Sequence, residues 1–171
     1  MKKFIVTEVF AFLVAGVFLF FLINSVGNFI YYFCAVGNVQ DDLSELLTGY
    51  GTYSALSLLA FALSLTAGIL IAVKELSALS PDGIPEKKKM LLTVFSELCL
   101  FLVLALCAFF GYSHLVMLTQ PSLLDDWIEF AAMVQTILYG SLFVICSGLT
   151  VAAGILSLHK SRTFFGKSPK S

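Results

Sequence analysis

The sequence predicts an all-α integral membrane protein, a bundle of four transmembrane helices with short loops and both termini cytoplasmic. Three observations lead there. Apolar residues make up 59% of the 171 positions and charged residues only 12%, against about 45–50% and about 25% in soluble domains. Four stretches, at about 4–30, 53–73, 90–110 and 128–158, are long and apolar enough to cross a hydrocarbon layer that takes roughly 20 residues. The 10 Lys and Arg residues all fall at the N-terminus, in the middle connection or at the C-terminus.

The first stretch follows Lys2 and Lys3, as a secretory leader would. Its apolar run exceeds that of a leader, and no small-x-small cleavage site follows, so a retained span is expected. Barrel strands are excluded, because the four stretches are apolar on every side and do not alternate. After span 1, Asp41, Asp42 and Glu45 suggest a short interfacial helix, with its acids in the first turn and Gly49 as its stop. Tyr50, Tyr53, Tyr112 and Trp127 fall where interfacial rings belong.

Span 2 carries Ala60, Ser64, Gly68 and Ala72 at every fourth position, a stripe that lets a second helix approach closely. Ser80-Pro81-Asp82-Gly83-Ile84-Pro85 reads as a turn. Lys74 is assigned to this middle connection, and Lys87, Lys88 and Lys89 flank span 3 as headgroup contacts. Pro121 and Ser122 open the last connection, and span 4 holds a shorter small-residue pair, Gly148 and Ala152. Residues 159–171 form a short basic cytoplasmic tail. The whole chain is expected to be a single transmembrane domain, since no connection is long enough to fold alone.

Basic residues stay on the cytoplasmic side of short loops. The connections after spans 1 and 3 hold Asp41, Asp42, Glu45, Asp125, Asp126 and Glu129 and no Lys or Arg, so they are expected outside, with the plasma membrane favoured. There is also an internal echo. Glu8 and Glu97 share their setting at an offset of 89 residues, and the Ala-Gly-Ile-Leu runs at Ala67 and Ala153 match at an offset of 86. A duplicated hairpin would produce both offsets, as parallel repeats.

Glu8, Glu97 and Gln135 are the candidate intramembrane polar residues, for a partner contact or an ion site, because a carboxylate within a span costs about 2.5–3.5 kcal/mol at the helix centre. Asn24 and Asn28 share a helix face and suit an interhelical hydrogen bond. Catalytic chemistry has no foothold. Cys34, Cys99, Cys107 and Cys146 include no Cys-x-x-Cys pair, and no phosphate-loop, dinucleotide or zinc-hydrolase pattern is present. His114 and His159 fall at opposite ends of the spans and cannot share a metal.

The expected function is therefore non-catalytic, with no cofactor or metal. The chain would be an accessory, assembly or scaffolding subunit of a larger membrane complex, such as a channel, receptor or energy-coupling assembly. Its partners would be the lipid bilayer and other membrane subunits or further copies, not nucleic acid. The alternative is a small oligomeric ion channel or transporter that uses Glu8 and Glu97.

Overall fold

A computed structural model describes residues 6–36, 40–78, 85–119 and 126–165. They form four α-helices: α1 (Val6–Val36), α2 (Gln40–Ala78), α3 (Glu86–Thr119) and α4 (Asp126–Phe165). Among the described residues there is no strand. Each helix contains a segment long and apolar enough to cross a membrane: Thr7–Tyr31, Thr48–Ser77, Glu86–Val116 and Met133–Lys160. The helices pack in the ring order α1, α2, α3, α4, and α4 closes onto α1. Sequential neighbours run antiparallel. One end of the bundle gathers the start of α1, the α2–α3 connection and the end of α4, and is called the basic end below. The opposite end, reached by the α1–α2 and α3–α4 connections, is the acidic end.

The helices outrun the apolar stretches that announce them. α2 begins at Gln40 and passes through Gly49 and Gly51 without a break, so Gly49 does not terminate a separate interfacial helix. A helical glycine costs only about 1 kcal/mol, and this segment is held by other bonds. Thr52 Oγ1 donates to Thr48 O at 2.6 Å, and the hydroxyls of Ser25 and Ser54 meet at 2.9 Å across α1 and α2. At its other end α2 runs on to Ala78, which places Lys74 within the bundle and not in the connection. α3 starts directly after Pro85, whose carbonyl accepts from Lys88 N and Lys89 N at 2.9 and 3.1 Å. Lys87 to Lys89 thus occupy its first turns. The expected turns at 80–84 and at Pro121-Ser122 lie outside the described residues.

Burial repeats at both offsets seen in the sequence. On α1 the buried positions include Thr7, Ala11, Val14, Phe18 and Phe21. On α3 they are Ser96, Leu100, Val103, Cys107 and Phe110, each 89 residues later. On α2, Ser57, Ala60, Ser64, Ala67 and Ile71 are buried, and Phe143, Cys146, Thr150, Ala153 and Ser157 on α4 follow each by 86. Even the hydroxyl bonds match. Ser64 donates to Ala60 O and Thr150 to Cys146 O, both at 2.7 Å, which satisfies each buried hydroxyl within its own helix. The two hairpins present equivalent faces to a shared core.

The small-residue stripe on α2 is used inside this core. Ala60 and Ser64 are buried, Ala72 is half-buried, and a Cβ added at Gly68 would stand 2.9 Å from the Phe12 ring. Gly148 instead faces outward, with nothing within 4 Å of an added Cβ, and Ala152 is half-buried. Gly68→Leu is accordingly expected to cost about 1–3 kcal/mol through overpacking against α1, while Gly148→Leu costs little. Thermal unfolding of the two variants in the same detergent checks this, and equal midpoints would contradict it.

Candidate functional site

The polar residues sort into two separate groups, one toward each end of the bundle. Near the basic end all four helices contribute to a polar layer. Lys74 and Glu75 on α2 are only 4% and 6% exposed. Lys74 Nζ donates to Ser157 Oγ on α4 at 2.9 Å, and Lys160 Nζ on α4 pairs with Glu75 Oε1 at 2.6 Å. Glu97 on α3 faces Lys74 and shares a hydrogen bond with Ser157. Its Oε2 also packs over Gly154, 3.2 Å from where a Cβ would stand. Glu8 on α1 lies against the Glu75 carboxyl group.

The two acids singled out in the sequence are thus both in this layer and both half-buried, but they do different work. Glu97 faces a cation, and Glu8 faces another acid. Lys74 and Glu75 were missed because they lie just past the apolar run that marks span 2. A signal was present, since Lys74 and Lys160 stand 86 residues apart, as Gly68 and Gly154 do.

Toward the acidic end a cavity of about 310 Å³ opens among all four helices. Asn24 and Asn28 line it from α1, and Tyr50, Tyr53 and Ser57 from α2. Gln135 is found here, exposed at the start of the α4 span, and far from Glu8 and Glu97. Asn24 makes the interhelical bond expected of it, donating from Nδ2 to Tyr139 Oη at 2.8 Å. Tyr53 is not an interfacial ring, since it packs against Phe110 at 5.6 Å. His114 stacks on Phe143 at 5.6 Å and meets the Tyr139 ring edge-on at 5.8 Å. Its Nδ1 is buried with no hydrogen-bond partner among the described residues.

Between the two groups sits a packed aromatic layer. Phe143 stacks on Phe21 at 4.5 Å and on Phe110 at 5.0 Å, and Phe18 lies 6.0 Å from both Phe110 and Phe143. All four rings are at most 7% exposed. Val14, Val103, Cys107 and Cys146 extend the same cluster. Glu8 and Phe21 on α1 are separated by about 20 Å of helix, so this apolar core lies between the cavity and the charged residues.

Among the described residues no group of His, Cys, Asp and Glu could hold a metal ion. The side chains of Asp125, Asp126 and Glu129 lie outside those residues. Fold and polar groups together define a bundle of four helices long and apolar enough to cross a membrane, with an ionic layer at one end and an aromatic cavity at the other. The chain matches no protein-family model, no curated protein and no solved structure. Residue chemistry and geometry therefore carry the functional argument.

Proposed function

We propose that this chain is a multi-pass membrane protein that acts as a non-catalytic accessory, assembly or scaffolding subunit of a larger membrane complex. Membrane residence is supported by a reversed distribution of polarity. Phe101, Val144 and Ile155 are 67%, 70% and 62% exposed, while Lys74, Glu75 and the six Ser or Thr side chains described above are buried. Water would penalise that outward surface, and hydrocarbon would not. The basic end is read as cytoplasmic, because Lys87 and Lys88 are exposed there and basic residues are retained on that side.

The observation that carries the accessory reading is the closed aromatic layer. Phe18, Phe21, Phe110 and Phe143 fill the bundle between its polar ends, which opposes a water-filled path through one chain. The ionic layer supports the same reading, because Glu75 and Glu97 find their counter-charges within the chain and offer no unpaired charge for transport. The rival reading, a small oligomeric channel or transporter using Glu8 and Glu97, draws on the polar cavity. It needs a route past the four phenylalanines.

Isolation under mild solubilisation, followed by mass spectrometry and by flux assays in vesicles, separates the two. A fixed-stoichiometry complex with a larger membrane protein, and no flux from the chain alone, is the expected result. A pure homo-oligomer that carries ions would overturn the proposal.

A further inference from the structure

The cavity at the acidic end has a chemistry of its own. Its walls pair by the two repeat offsets: Phe21 with Phe110, and Tyr53 with Tyr139. The match fails at three others, where Ser25 stands against His114, Tyr50 against Thr136 and Ser57 against Phe143. Where α4 contributes the Phe143 ring, α2 contributes the smaller Ser57, and both line the cavity. Each of the four helices supplies at least one Phe or Tyr ring to the lining, so a planar ring in the cavity would find stacking partners there.

Two further observations define what would fill it. None of the lining residues is Asp, Glu, Lys or Arg, so a charged ligand would find no counter-ion there, and its desolvation would go uncompensated. His114 lines the cavity, and its buried Nδ1 has no hydrogen-bond partner among the described residues. A neutral imidazole nitrogen donates or accepts according to its tautomer, so it can meet either a carbonyl or a hydroxyl. Leaving it unmet costs the protein its desolvation. The volume of about 310 Å³ lies at the small end of ligand pockets.

We propose that this cavity binds a neutral planar ring bearing carbonyl or hydroxyl groups, the chemistry of a quinone or its quinol. The ring lies against Ser57 and stacks among Phe110, Phe143 and Tyr53. Its oxygen hydrogen-bonds to His114, and the amides of Asn24, Asn28 and Gln135 line the mouth. The proposal concerns binding and assigns no electron transfer. It stands independently of the accessory role.

The test uses the full chain in lipid nanodiscs, with 2,3-dimethyl-1,4-naphthoquinone as probe and thermal unfolding as readout, since a ligand specific to the folded state raises the midpoint with its concentration. Naphthalene-2-sulfonate supplies a charged ring of similar size. The neutral probe should raise the midpoint saturably in wild type and in Ser57→Ala, and should fail to do so in Ser57→Phe, where the cavity is filled. His114→Phe keeps the ring stack and removes the nitrogen, and should weaken binding about tenfold. The sulfonate should bind at least that much more weakly than the quinone. Absence of any shift in wild type, meaning a cavity that holds only water, would overturn the proposal. So would equal shifts by both rings, or an unchanged shift in Ser57→Phe. If Ser57→Phe does not fold, unaltered affinity in His114→Phe overturns it equally.

Discussion

Glu97→Leu is expected to destabilise the bundle by about 3 kcal/mol, while Glu8→Gln is nearly silent. Glu97 is the foremost opposite charge acting on buried Lys74, and stripping a buried charge of its partner costs about 3–5 kcal/mol. The lower end applies because Glu97 is half-buried. Lys74, 4% exposed, would keep its bond to Ser157 but lose the carboxylate that faces it from α3. Glu8 stands against Glu75, a like group with which it shares a hydrogen bond, so Gln keeps a hydrogen-bonding group there and relieves the repulsion. The double variant Lys74→Met with Glu97→Leu should recover most of the loss, because well-packed apolar residues can replace a buried pair at little cost. Reversible unfolding in mixed micelles measures all of these. A Glu8→Gln variant as unstable as Glu97→Leu would show that the two acids share one role after all.

Phe143→Ala should have the largest effect of any single truncation in the core. The ring is 1% exposed and stacks on Phe21, Phe110 and His114. Truncating a buried phenylalanine costs about 3–5 kcal/mol, with the higher figures where the site cannot collapse. Collapse is hindered here, because the vacancy would join the existing cavity beside Ser57. Phe20→Ala, one position before Phe21 and with its side chain 55% exposed, should cost far less. Comparable losses in the two variants would mean that Phe143 does not anchor the core. Beyond stability, Phe143→Ala would extend the cavity toward Cys146 and Cys107, which belong to the same packed cluster.

The four helices were legible because hydrocarbon-crossing segments need long apolar runs, and this chain has four. Their ends were less legible. Hydropathy falls at Lys74 and Glu75, yet the backbone of α2 continues helically to Ala78, and burial there is supported by Lys160, Ser157 and Glu97 from other helices. Such pairs are separated by more than 20 residues of sequence and have no local signature. Gly49 misled in the opposite direction, since tertiary bonds such as Ser25 to Ser54 outweigh its low helix propensity. The two offsets were visible as short matches at Glu8 and Ala67, and the burial pattern shows that they extend along all four helices. The cavity was not legible at all. Its lining comes from all four helices, far apart in sequence, and only packing brings those residues together.

The central claim is that the aromatic layer closes the bundle between its two polar ends. The native cysteines report on it directly. Cys34 is exposed, while Cys107 and Cys146 are buried beside the phenylalanines. With the protein reconstituted in vesicles, a small membrane-impermeant methanethiosulfonate should modify Cys34 when applied to the acidic end. Applied from either side, it should leave Cys107 and Cys146 unmodified in wild type, and it should reach them faster once Phe143→Ala opens the layer. Labelling of Cys107 or Cys146 in wild type at a rate close to that of Cys34 would contradict the closed bundle, and with it the accessory role argued here.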